Sequence, residues 1–199
     1  MTIKHYIFTL AYLMALISCT SHNSRTASEE SKDTIAVVDT VIQEVVHANA
    51  IDLGLSVLWA DRNFNGEDSL DCGWYYSATE AKSFLPETWG DGWRVPTGKE
   101  MRELRLKCKW NHRTCVDKFR NHIDGYVVTG PNGNSIFVPS AGRLVVETLI
   151  EFGDGGCYIT SSRNSDGEPI GYYWENDICE TDELSLIGAG SLRPVMDKK

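Results

Sequence analysis

Apolar and polar positions along this chain fall into blocks of different period. Residues 6 to 17, YIFTLAYLMALI, form an apolar run behind a short start that carries Lys4 and His5. The run is too short to span a bilayer comfortably and ends in Leu16-Ile17-Ser18-Cys19, the pattern of a secretory signal. Residues 20 to 34, TSHNSRTASEESKDT, show no apolar periodicity and are rich in Ser, Thr and charge, which predicts a disordered tether. The next block, 35-IAVVDTVIQEVVHANA-50, is β-branched and suits either a short helix or a strand, as a stalk ahead of the domain.

From Ile51 the pattern changes. IDLGLSVLWADRNF places Val57, Leu58 and Trp59 ahead of a polar turn and predicts a first strand. Segment 74-WYYSATEAKSFL-85 predicts a strand passing into a helical turn from Ala78 to Phe84. In 91-DGWRVPTGKEMRELRLKCKW-110, Pro96 biases Val95 to extended geometry, so Trp93 and Val95 share one side of a short strand. Thr97 and Glu100 form a capping box: the Thr hydroxyl accepts from the third helical amide, and the Glu carboxylate accepts from the Thr97 amide. Met101, Leu104 and Cys108 follow at i, i+3 and i+7, one face of a helix.

Two hairpins complete the pattern. In 126-YVVTGPNGNSIFVPSAG-142 a turn at Asn132-Gly133 sets Val128 opposite Phe137. A second hairpin joins 157-CYITSS-162 to 172-YYWENDIC-179; centred near Glu168, it sets Cys157 opposite Cys179. The chain closes on 191-SLRPVMDKK-199, a last strand with a charged tail.

Composition narrows the function classes. A chain of 199 residues with 42% hydrophobic content holds one domain with a substantial core. The net charge of -9, which becomes -10 when the single lysine of residues 1–18 is removed, disfavours nucleic acid or an anionic membrane face as partner. Besides Cys19 the chain has Cys72, Cys108, Cys115, Cys157 and Cys179, an odd set that leaves at least one thiol unpaired or intermolecular. The candidate disulfides are Cys157 with Cys179 and Cys108 with Cys115. No Cys-x-x-Cys spacing occurs and the histidines are scattered, so neither a metal site nor a cofactor is expected. No Ser-His-Asp signature, Gly-rich phosphate loop or His-Glu-x-x-His is present, and the expectation is a protein without catalysis.

The Leu-Ile-Ser-Cys ending resembles a bacterial lipobox, which implies that Cys19 becomes the lipid-modified first residue, carrying acyl chains such as palmitate that tether the protein to a membrane. Five blocks, IDLGLSVLWADRNF, GDGWRVPTGKEMREL, GYVVTGPNGNSIFVPSAG, GGCYITSS and SLRPV, in that order resemble the Fibrobacter succinogenes major paralogous domain over residues 50–196. That family is similar to the C-type-lectin-like fold, in the branch that holds the formylglycine-generating enzymes. The resemblance implies an α+β architecture with LGLSVLWA and SLRPV paired as terminal strands, short antiparallel sheets and one or two flanking helices. The implied organisation is a lipoprotein signal peptide (1–18), a lipidated cysteine with tether and stalk (19–49), the domain (50–196) and a charged tail (197–199).

The implied function is that of a lipid-anchored envelope protein, at the outer membrane with its face left open, whose domain binds a glycan, peptide or protein partner. A formylglycine-generating type of envelope enzyme using Cys157 and Cys179, and a structural paralogue without a small ligand, are the alternatives. The candidate ligand residues lie in 167-GEPIGYYWENDIC-179: Glu168, Tyr173, Trp174, Asn176 and Asp177, aromatics beside hydrogen-bonding carboxylates. The segment is similar to the Glu-Pro-Asn and Trp-Asn-Asp steps of calcium-dependent lectins. Ile170, however, stands in place of an amide ligand, and Glu175 separates Trp174 from Asn176, so no calcium site is expected. Trp93 and Arg94 read as structural, and Trp59, Trp74, Trp89 and Trp110 as core or near-core residues.

Overall fold

The structure is a computed structural model that describes residues 48–175, 182–185 and 188–199. The signal, the tether with Cys19, and Asn176, Asp177 and Cys179 lie outside the described residues. The block at Ile51 makes two strands rather than one, β1 (Ala50–Asp52) and β2 (Val57–Ala60). Next come β3 (Tyr75–Tyr76) and α1 (Ala78–Trp89). α1 opens on a capping box: Ser77 Oγ accepts from the Glu80 amide, and the Glu80 carboxylate accepts from the Ser77 amide. It is followed by β4 (Trp93–Arg94) and α2 (Gly98–Lys107), where Thr97 and Glu100 cap as expected. Met101 and Leu104 of α2 are buried, with Cys108 packed against the same core.

Among the described residues every regular element after α2 is a strand. β5 (Lys109–Val116), β6 (His122–Thr129) and β7 (Ser135–Pro139) form a meander, and β8 (Arg143–Val145) and β9 (Thr148–Ile150) a small hairpin. β10 (Gly155–Arg163), β11 (Pro169–Glu175), β12 (Asp182–Ser185), β13 (Gly190–Ser191) and β14 (Val195–Asp197) follow. One sheet has the order β1-β2-β14-β4 and another β12-β11-β10-β13-β3. The molecule is thus α+β, built from small and mostly antiparallel sheets with two helices among the described residues. No helix among these residues is long and apolar enough to cross a membrane.

The last strand lies between β2 and β4, with Val195 opposite Trp59. An early strand and the end of the chain therefore pair, as LGLSVLWA and SLRPV were expected to. The pairing uses Val195–Asp197, while Ser191 belongs to β13 beside β10 and β3. Period-2 alternation lets these strands serve two cores at once. Val57, Trp59, Tyr158 and Val195 enter a cluster with Met101, Leu104, Val128 and Trp174, while Ala60 and Ile159 enter one with Phe64, Leu85, Trp89 and Trp93. A buried polar tie joins the same strands. Arg193 donates from Nε to Asn63 Oδ1 (2.8 Å), from Nη1 to the Ala60 carbonyl (3.1 Å) and from Nη2 to the Phe137 carbonyl (2.8 Å). Asn63 in turn donates to the Tyr158 hydroxyl (2.9 Å), which donates to the Pro139 carbonyl (3.0 Å).

Arg94 explains the Trp-Arg-Val-Pro-Thr step. Its guanidinium binds Glu100 and Asp197, each at 2.6 Å, and so ties β4 to the cap of α2 and to β14, while Trp93 and Val95 are buried. Asp197, expected in the tail, is therefore the last residue of a strand.

Several expected pairings are corrected. Val128 faces Ile136 and Val127 faces Phe137, because the loop has three residues, 131–133, closed by Gly130 N–H to the Asn134 carbonyl (2.9 Å). Cys157 faces Tyr173 rather than Cys179, because that hairpin also turns early, with Asn164 N–H on the Glu168 carbonyl (2.9 Å). Cys108 and Cys115 are not bonded: Cys115 lies near the far end of β5, about 23 Å along an extended strand from Cys108, far beyond disulfide reach. Cys72, Cys108, Cys115 and Cys157 are free thiols. Trp74, expected near the core, is 59% exposed.

Candidate functional site

The aromatic run expected to form a ligand platform divides by parity. Tyr172 and Trp174 point into the core, where Trp174 is fully buried, stacks on Tyr158 at 4.9 Å and meets Trp110 edge-on at 5.4 Å. Trp174 is thus a core residue and not part of a ligand surface. Tyr173 takes the other face of β11, half-buried, with the Arg143 guanidinium 5.4 Å from its ring centroid. Arg143 is itself held by Glu151, at 3.0 and 3.2 Å. Glu168 is exposed in the β10–β11 turn, where Asn164 donates to its carboxylate at 3.1 Å. Five residues of chain, about 16 Å when extended, separate Glu168 from Tyr173, so the two do not share one platform.

A cleft that no sequence motif announced lies elsewhere. It has a volume of about 300 Å³ and is walled by three separate segments: the loop with Glu67, Asp68, Leu70, Asp71 and Cys72; the β5–β6 tip with Asp117, Lys118 and Phe119, backed by Ile123; and Phe152. Phe119 is 72% and Phe152 42% exposed, large rings left in water at the mouth. Local hydrogen bonds fix the carboxylates. Asp68 Oδ1 accepts from the Leu70 and Asp71 amides (2.9 and 3.2 Å), and Asp71 accepts from the Glu67 and Gly73 amides (3.1 and 2.9 Å). Gly73 has φ 66° and a Cβ there would stand 2.4 Å from the Phe64 carbonyl oxygen, so the loop depends on that glycine. At the tip, Asp117 Oδ1 accepts from the Phe119 and Asn121 amides (2.9 and 2.7 Å) and Oδ2 from the Asn121 side chain (2.9 Å). Lys118 crosses the mouth to pair with Glu67 and lies 5.1 Å from the Phe119 ring centroid.

The electrostatics are those of a cation-seeking, non-nucleophilic hollow. Hydrogen bonding to Glu67 and the nearby charges of Glu67, Asp68 and Asp71 hold Lys118 protonated above its ordinary range. The Cys72 thiol is pushed up to about 12 by burial, with the Asp71 charge adding and Arg193 opposing, so it stays a thiol at neutral pH. Burial likewise pushes Cys157 up to about 12, against the pull of Arg143. Among the described residues no three His, Cys, Asp or Glu side chains gather closely enough to hold a metal ion.

A second hollow, about 340 Å³, lies between α1 and the β4–α2 junction and is lined by Ala81, Leu85, Pro86, Trp93, Val95 and Thr97 among others. It lacks the carboxylates and exposed rings of the first. Comparison with family models, with curated proteins and with solved structures finds no match to this chain.

Proposed function

We propose that this chain is an exported envelope protein, lipid-anchored at Cys19 in the outer membrane, whose residues 50–196 form a non-enzymatic binding module for a glycan, peptide or protein partner. One observation carries the binding reading: the open cleft sets Phe119 and Phe152 in water beside carboxylates already fixed by backbone amides. Exposed rings and preset hydrogen-bonding oxygens give a ligand area to bury without first ordering the site. The anchor reading rests on the apolar run and Leu-Ile-Ser-Cys at residues 6–19. The pairing of β2 with β14 supports a C-type-lectin-like paralogous domain of the Fibrobacter succinogenes type. The Cys157 thiol, pushed up to about 12 by burial, is the reverse of a reactive thiolate, which speaks against the formylglycine-generating alternative that would use it.

The test is a screen of the mature protein on glycan and peptide arrays, repeated with Phe119→Ala/Phe152→Ala. A ligand whose affinity falls about tenfold or more in the double variant supports the reading. Ligands held equally by both proteins would place binding outside the cleft. Cells fed labelled palmitate should label the wild-type protein and not Cys19→Ser; equal labelling would remove the anchor.

A further inference from the structure

We infer that the cleft takes a primary ammonium on an apolar stem, the chemistry of a lysine side chain in an extended peptide. This rests on the cleft being the binding site and names the ligand class for it. Charge complementarity is the first argument. Among the described lining residues Glu67, Asp68, Asp71 and Asp117 stand against Lys118, and the four carboxylates still outnumber three cations when Arg62, which donates to the Glu67 carbonyl at 3.2 Å, and Arg193, whose charge reaches the lining Cys72, are counted. An anionic ligand is repelled and a cation drawn in.

The chain displays the binding mode itself. Lys118 sets its ammonium on Glu67 and beside the Phe119 ring, the carboxylate-plus-aromatic surroundings that an incoming lysine would find. The pair is displaceable, because the side chains of Lys118 and Glu67 are 51% and 68% exposed and such surface pairs are weak. Leu70, Ile123 and Phe152 offer apolar surface for the four-carbon stem. An ammonium is the cation this site already holds. Backbone amides occupy one Asp68 oxygen, and amides or Asn121 occupy both oxygens of Asp71 and Asp117, which leaves Glu67, where Lys118 now sets its ammonium beside the Phe119 ring, as the carboxylate that receives the incoming cation.

The experiment titrates ¹⁵N-labelled mature protein with acetyl-Leu-Lys-Leu-amide, its norleucine and arginine counterparts, and chitobiose. The lysine peptide should shift the amides of Asp71, Phe119 and Phe152 and bind about tenfold more tightly than the norleucine peptide, with added salt closing the gap. Asp68→Asn keeps the loop-capping oxygen and should weaken binding about fivefold. Lys118→Met removes the internal competitor and should tighten binding severalfold. Equal affinity for the lysine and norleucine peptides, tighter arginine binding, or weaker binding by Lys118→Met would overturn the ammonium assignment. Cleft shifts produced more tightly by chitobiose would also overturn it, while leaving the binding module intact. No cleft shift with any probe in wild type or Lys118→Met overturns the ammonium assignment, and if the arrays also find no cleft-dependent ligand the module reading falls with it.

Discussion

Arg193 shows how much a single side chain carries here. It is fully buried, and its guanidinium satisfies Asn63 and the carbonyls of Ala60 and Phe137 without an acid among these acceptors, bridging β2, the following loop and β7. Removing it strands buried oxygens, each at a cost of about 1–3 kcal/mol. Arg193→Met should therefore destabilise by roughly 3 kcal/mol or more in urea unfolding, and Arg193→Lys should not rescue it, because an ammonium cannot reach three diverging acceptors. Glu103 makes a pH-dependent contribution. Burial opposes its charge, but hydrogen bonds from Lys107 and from the Ser56 hydroxyl and amide outweigh that and hold its carboxyl at about 2, against an ordinary 4.5. A depressed carboxyl stabilises the fold fully above the ordinary value and loses that contribution as pH falls from 4.5 toward 2. Glu103→Gln should cost roughly 1–2 kcal/mol at pH 7, with the gap to wild type closing across that acid window.

Among the elements, what was legible was local. The Thr97–Glu100 cap follows from two residues three apart and the helix behind it from a stripe at i, i+3 and i+7, and Ser77–Glu80 is the same capping device, passed over in the sequence although equally local. Hairpin registers were missed because they depend on loop geometry. Loops 118–120, 131–133 and 165–167 share one form: a flanking N–H to C=O bond and a last residue at positive φ, Arg120 at 68°, Gly133 at 90° and Gly167 at 81°. Taking a two-residue turn at Asn132-Gly133 shifts the pairing by one residue, and centring the second hairpin on Glu168 sent Cys157 to the wrong partner. β5 gave no periodic signal because most of its residues are exposed on both faces; its pairing with β6 makes it a strand. The β8–β9 turn is strained, with Val146 at φ 47° and Glu147 at φ 64°, where a β-branched residue is disfavoured. Val146→Asn/Glu147→Gly should raise stability by about 1 kcal/mol, read as a higher urea midpoint at constant slope. Loss of stability would contradict that reading of the turn.

At the scale of the whole molecule, β2, β14 and β10 separate two apolar clusters and bring distant segments together. The cleft is a product of that assembly. Its walls come from residues 67–72, 117–123 and 152, and in sequence each looked like an ordinary polar turn with one or two apolar residues. The aromatic run at 172–174 was conspicuous in sequence, yet alternation buries its outer two members and Arg143 covers the third. Only the Asp117…Asn121 frame around Phe119 held a local hint, since a turn that fixes an aromatic at its tip presents it to solvent.

The claim that this cleft is where the molecule meets its ligand is tested most directly by a photo-crosslinking side chain, p-benzoylphenylalanine, placed at position 119 in producing cells and, as control, at Leu106, which is 71% exposed on α2. Light should give a discrete adduct from position 119 that Phe152→Ala diminishes, and none from position 106. No adduct from position 119, or the same adduct from both positions, would contradict it.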